Sequence, residues 1–192
     1  IKILTEEAKR VQGMSVVSLM TKYPQGDEKR IIDAVAHRQV PSGALPAAVG
    51  CVVENVGTTF AIYEAVALGK PLYERIVTIT GRGIKEPKNM LVRMGTLMDE
   101  VLAQCGGFNG TPGKIIAGGP MMGMTVFETH TPLLKANGGL LILTEEEARP
   151  RPVRNCLKCG KCVDVCPVHL QPCYIAAYSL RHNFDMTENL CA

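Results

Sequence analysis

The chain has 192 residues, a net charge of +3 and 46% hydrophobic residues, enough for one large domain or two to three small ones with real cores. The small charge and the lack of any basic run give no footing for nucleic-acid binding. No apolar stretch approaches the roughly 18–20 residues that span a bilayer, and no secretory signal is visible.

The chain opens on "IKILTEEAKR", without an initiator methionine, and reads as entering partway through an element. A fragment or an engineered piece is the expectation. "GMSVVSLM" is a plausible strand, and "YPQG" a turn. Asp27 to His37 predicts a helix with Ile31, Ile32, Ala34 and Val35 as its apolar side. "VPSGALP" is loop by composition, and the apolar run "AVGCVVENV" predicts a buried parallel strand. It leads into "GTTFAIYEAVALGKP", a helix that Gly69 and Pro71 stop. That strand–turn–helix rhythm predicts α/β structure.

From about Leu72 the texture changes. "RIVTITG" alternates as a half-buried strand does, "RGIKEPKN" is a turn, and "MLVRMG" is a second strand. "TLMDEVLAQCGG" predicts a short helix that Gly106 ends, with Thr96 and Asp99 in the pattern of a capping box. "GKIIAGG" and "GGLLILT" supply further strands. Together these form a small α+β unit. Gly118, Gly119 and Gly123 around "PMMG" permit close packing. "EEEARPRPVRN" reads as a linker, and "QPCYIAAYSLRHN" as a closing helix.

The eight cysteines are unevenly spread. Five fall between Cys156 and Cys173, which favours a metal site in a reducing compartment over a disulfide scaffold. Cys51 and Cys105 read as small buried hydrophobes. Cys156, Cys159, Cys162 and Cys166, followed by Pro167, have the C-x2-C-x2-C-x3-C-P spacing of a 4Fe–4S run. Two-residue gaps let one tight loop turn three thiolates onto three corners of a cubane. Gly160 lets backbone amides approach the sulfurs. The longer gap and the proline send the fourth thiol away, toward a second cluster in two-cluster proteins. Structural zinc, which takes two pairs across a longer insert, fits this spacing poorly. Lys158, Lys161 and Arg154 can offset cluster charge or act as solvated surface cations. Cys173 reads as an incidental helix cysteine, Cys191 as a non-ligand, and His37, His130, His169 and His182 as scattered surface residues.

With these stretches in view, "KYPQGDEKRII", "VPSGALPAAVG", "VENVGTTFAIYEAV", "AGGPMMG" and "NCLKCGKCVDVCP" make the chain resemble the C subunits of Rnf (Rsx) electron transport complexes. The resemblance runs from Lys22 to Pro167, in the family's order. It implies three parts: the end of an FMN- and NADH-binding α/β domain over 1–72, a β-grasp domain of soluble-ligand-binding type over 73–145, and a ferredoxin-like iron–sulfur segment over 146–192. "YPQGDE" is similar to the flavin and nucleotide stretch of the complex I flavoprotein, which implies Tyr23, Gly26, Asp27 and Glu28 as binding residues. "ENVGT" is similar to that protein's flavin-phosphate turn, which implies Asn55 and Thr58. On the residues alone, Asn55 and Thr58 also read as a helix N-cap, and Tyr23 and Glu28 as a turn aromatic and a first-turn acid.

The resemblance implies an electron-transfer subunit of an NADH:ferredoxin oxidoreductase coupled to ion translocation. FMN and two 4Fe–4S clusters belong to the intact protein, with NADH as substrate. Other complex subunits and, indirectly, ferredoxin are partners, at the cytoplasmic face of the bacterial cell membrane. No catalytic acid–base or nucleophilic residue is expected. The family's upstream glycine-rich loop and second cysteine motif do not occur in this sequence. The piece is therefore expected to lack flavin and to hold its cysteine site empty or in part. A cobalamin reductase-like iron–sulfur flavoprotein shares the domain order, and a zinc-stabilised interaction module is a reading of another class.

Overall fold

The computed structural model describes residues 1–168 and 170–190, so the expectations for His169 and Cys191 lie outside the described residues. In chain order the helices are α1 (Lys2–Ala8), α2 (Glu28–Ala36), α3 (Val56–Leu68), α4 (Met98–Gln104), α5 (Glu145–Ala148), α6 (Lys161–Asp164), α7 (Pro172–Ser179) and α8 (Phe184–Asn189). The strands are β1 (Glu74–Thr80), β2 (Lys88–Arg93), β3 (Pro112–Ala117), β4 (Met124–Val126) and β5 (Gly139–Thr144). No helix among the described residues is long and apolar enough to cross a membrane. The chain divides into two compact units, Asn55–Val153 and, from the two ends, Ile1–Glu54 with Arg154–Ala192.

Asn55–Val153 holds a five-stranded sheet in the order β2-β1-β5-β3-β4. β1 and β5 run parallel and the other neighbours antiparallel. A parallel pair needs a crossover, and the chain between them supplies it by way of α4. That helix places Met98, Val101, Leu102 and Cys105 at helical spacing on one buried face. Val77 and Ile79 of β1, and Leu140 and Ile142 of β5, alternate onto the sheet face in the same core. Ile76 and Leu91 point the other way and are exposed. Two glycines fix close approaches. Gly81 stands at φ +113°, where a Cβ would overlap the Ile142 carbonyl, and a Cβ on Gly123 would meet Ile116 Cγ2 at 2.5 Å. Gly118 is similarly confined by Gly123, whereas a Cβ on Gly119 would meet open space, so the expected packing role fails there.

α3 forms as expected. Asn55 caps its start, its Oδ1 accepting from Gly57 N at 2.9 Å, and Gly69 ends it in the left-handed region. It buries none of its residues. In the other unit, Asp27 caps α2 by accepting from Arg30 N at 3.3 Å, and His37 closes the helix with φ 53°. Only Ala8 and Ile32 are buried there among the described residues. Ala34 and Val35, read as part of the apolar side, are exposed.

Several expectations are corrected. Residues 13–20 and 48–56 do not form strands: neither stretch finds a hydrogen-bonded neighbour strand among the described residues, and Val17, Val52 and Val56 are exposed. Pro46–Val49 is instead a single 3₁₀ turn, which Gly50 ends at φ 68°. Cys51 is half-buried rather than core, while Cys105 is fully enclosed. Thr96 and Asp99 make no capping box, because Leu97 holds the N-cap position of α4. The capping box stands instead at Thr144 and Glu147, where the Glu147 N–H donates to Thr144 Oγ1 at 3.3 Å and Glu147 Oε2 accepts from Thr144 N at 3.0 Å. The first residues of the expected linker are therefore α5.

Asp99 is engaged elsewhere. Its Oδ2 lies 3.0 Å from His130 Nδ1, and this hydrogen bond raises the pKa of His130 above its ordinary 6.5 and lowers that of Asp99 below its ordinary 3.8. Glu128 and Glu100 add a smaller upward push on His130. A raised histidine pKa stabilises the fold below the unfolded value and is lost as pH rises through the folded one. A lowered carboxylate pKa stabilises above the unfolded value and is lost as pH falls. The pair is thus at full strength between the two. An NMR titration is expected to place His130 above 6.5, and Asp99→Asn to return it toward that value. In the core, Ile142→Ala is expected to cost about 2–5 kcal/mol in urea unfolding. Ile76→Ala on the exposed face is expected to change stability by about 0.5 kcal/mol or less.

Candidate functional site

The cysteine run lies on a loop that turns sharply twice. Lys158 and Gly160 both have left-handed backbones, at φ 54° and 76°. For a lysine this is a costly conformation, of the kind that clusters at functional sites. The Lys158 N–H donates to Cys156 Sγ at 3.4 Å, and the Leu170 N–H donates to Cys166 Sγ at 3.3 Å. Amide donors on sulfur are the outer hydrogen bonds that orient metal-binding thiols. α6 then carries Cys162 between the second and fourth thiols. Cys156, Cys159 and Cys162 are exposed, Cys166 and Cys173 are half-buried, and all five are free thiols. Among the described residues no group of three or more His, Cys, Asp or Glu side chains is gathered to hold a metal ion. The donor set fits soft metal chemistry: four unpaired thiols, amide donors on two of them, and no competing carboxylate bonded to any.

In the same unit the turn before α2 carries Tyr23, Gly26, Asp27 and Glu28. The Gln25 N–H donates to Lys22 O and the Asp27 N–H to Pro24 O, each at 2.8 Å. Tyr23 is 66% exposed, so its ring face is open to a flat ligand. Asp27 spends Oδ2 on the helix cap, which leaves Oδ1 and the Glu28 carboxylate as acceptors. One contact has no signature in the sequence: Arg30 Nη1 donates to the Pro167 carbonyl oxygen at 2.9 Å. It ties the first turn of α2 to the residue after Cys166.

Asn55 and Thr58 belong to the other unit, at the start of α3. No strand precedes them, contrary to expectation, but the helix N-terminus is as expected. With Asn55 Oδ1 on Gly57 N, the N–H groups of Val56 and Thr58 and the Asn55 side-chain amide stay available for an anion. A cleft of about 880 Å³ opens beside them, lined also by Lys70, Arg75 and Lys135. Glu64 and Glu74 bond Lys70 at 2.8 and 3.1 Å, and these hydrogen bonds raise its pKa. Arg75 Nη1 donates to Lys135 O, while Arg75 Nε is a buried donor without a partner. This orphaned donor and the helix start fit an anionic group. Sequence reading misses Arg75 and Lys135, which carry no motif.

Known proteins share both the flavin-side stretch and the sheet. Residues 1–64 match the family described as the Nuo51 FMN-binding domain, and residues 76–125 match the SLBB domain. The chain is 52% identical over 176 residues to the C subunit of the Na(+)-translocating ferredoxin:NAD(+) oxidoreductase complex of Acetobacterium woodii, covering 92% of this chain and 40% of that protein. It is 50% identical over 159 residues to the C subunit of the proton-translocating ferredoxin:NAD(+) oxidoreductase complex of Clostridium ljungdahlii, covering 83% and 35%. It is 41% identical over 152 residues to the C subunit of an ion-translocating oxidoreductase complex of Rhodobacter capsulatus, covering 79% and 29%. The chain thus spans at most 40% of the length of these three relatives.

Proposed function

We propose, for a chain that belongs to the C-subunit family of Rnf-type ion-translocating oxidoreductase complexes, an electron-transfer role between NADH and ferredoxin at the cytoplasmic face of a bacterial cell membrane. The three-part division at 1–72, 73–145 and 146–192 is part of this reading. So are attachment to the membrane through other subunits and coupling to ion movement. The Acetobacterium and Clostridium relatives are named for different ions at nearly equal identity, and the proposal assigns neither.

When bound, FMN supplies the conversion between hydride and single-electron chemistry, and 4Fe–4S clusters supply a one-electron relay. Every other task falls to this chain's residues. Cys156, Cys159 and Cys162 would hold one cluster, and Cys166 would serve the other in the two-cluster arrangement. The N–H groups of Lys158 and Leu170 donate to the sulfurs of Cys156 and Cys166 and orient them. The Tyr23 ring offers a stacking face, Gly26 keeps the turn beside it open, and Asp27 and Glu28 offer acceptors for ribose hydroxyls. Asn55 and Thr58 at the α3 N-terminus, with Arg75 and Lys135 in the same cleft, offer donors for the flavin phosphate.

The observation that carries the proposal is the run of four free thiols with backbone N–H groups already on two of the sulfurs. Anaerobic reconstitution of the full-length protein with iron and sulfide is expected to give visible absorbance that dithionite bleaches. Cys159→Ser should lower bound iron and sulfide by about one cluster, and Cys173→Ser should leave both unchanged. Uptake of zinc in preference to iron, with no reducible chromophore, would contradict the assignment.

A further inference from the structure

We infer that Arg30 is a positioning residue for Cys166: its guanidinium, by holding the Pro167 carbonyl, fixes the turn that sets the Leu170 N–H on the Cys166 sulfur. The inference rests on the electron-carrier reading for its consequence, but its geometry stands alone. The Arg30 backbone is fixed first, because its N–H donates to the Asp27 cap at 3.3 Å. The side chain, 27% exposed, then lies 3.9 Å from Asp33 Oδ2 and donates through Nη1 to Pro167 O at 2.9 Å. Among the described residues this is the one side-chain hydrogen bond between 1–54 and 154–190.

The far end is equally defined. Pro167 has no N–H to donate and a fixed φ, so this residue can hydrogen-bond only through its carbonyl. The Leu170 N–H reaches back to Cys166 Sγ at 3.3 Å. Pro167 and Leu170 are therefore each held, the first by Arg30 and the second by the Cys166 sulfur. None of the described residues in 154–190 is fully buried, so apolar packing holds this stretch only weakly. Arginine suits the task. It stays charged at any physiological pH, and its long stem carries Nη1 to the Pro167 carbonyl while keeping it 3.9 Å from Asp33 Oδ2. Its fixed positive charge also favours the more negative, reduced state of a centre held by Cys166. The stretch that carries Asp27 and Glu28 is thus linked by one side chain to the last thiol of the run.

The test compares wild type, Arg30→Met, Arg30→Gln, Arg30→Lys and Arg38→Met in the full-length protein. Arg38 is a control in the same unit, since its Nη1 donates to Val49 O at 2.7 Å, away from the cysteines. In metal-free protein, amide exchange at Leu170 is expected to quicken several-fold in the Met and Gln variants and to stay near wild type in the Lys variant. After anaerobic loading with iron and sulfide, a chelator should strip iron several-fold faster from the Met and Gln variants. Their reduction midpoint should fall and their paramagnetic signal should change. Lys should restore both, and Arg38→Met should behave as wild type. Leu170 exchange and iron release unchanged in Arg30→Met, or equally changed in Arg38→Met, would overturn the positioning role. Wild type that takes up no iron and sulfide would overturn the electron-carrier reading instead, and the metal-free exchange data would still decide the role of Arg30.

Discussion

A segment with no fully buried side chain draws little on the hydrophobic effect. Residues 154–190 contain α6, α7 and α8, yet none of their described side chains is buried. The contrast with Asn55–Val153 is one of packing. There, α4 and the inner face of β1 and β5 enclose Val77, Ile79, Val101, Leu133, Leu140 and Ile142 at no more than 1% exposure. Each such side chain contributes about 1.5–3 kcal/mol of burial. The cysteine segment has only half-buried side chains and so less of that term, and its order leans on polar ties and on what its thiols bind. Where ligands are not gathered beforehand, binding free energy is also folding free energy.

This constraint connects the parts. The sheet, whose β1 to β4 fall largely within the stretch that matches the SLBB domain, carries its own core, and its glycines let strands approach closely. The unit built from the two ends of the chain is sparing in apolar burial and rich in directed contacts. Asp27 fixes Arg30, Arg30 fixes Pro167, and Leu170 meets Cys166. The turn before α2 and the thiol run therefore share a framework of hydrogen bonds. Such a framework is easily adjusted by a ligand at either end, because no packed core resists the change.

Much of this is legible from residue order. Asn55 and Gly69 announce α3 as cap and stop, and the apolar pair Ile31 and Ile32 announces α2, whose cap Asp27 shows only in the fold. Alternation announces β1, and the i, i+3, i+4 pattern announces α4. The failures share a cause. "GMSVVSLM" and "AVGCVVENV" have strand composition, but a strand exists only with a neighbour, and composition does not report neighbours. β4 is three residues long, too short for any periodicity. The box at Thr144 and Glu147 is present in the letters "TEEE", but the prolines that follow it suggest a linker. The tie from Arg30 to Pro167 spans 137 positions and has no local signature. At the candidate site, motif alone names the cysteines and cap residues, whereas Arg75 and Lys135 enter only through the folded cleft.

The most direct test of whether the thiol run depends on what it binds is hydrogen exchange over 154–190 of the full-length protein, with and without anaerobic iron and sulfide. Protection that rises across this segment on loading, well beyond the local protection of Leu170 in metal-free protein, while β1 and β5 stay equally protected in both states, is the predicted result. Equal protection of the segment in metal-free and loaded protein would contradict it.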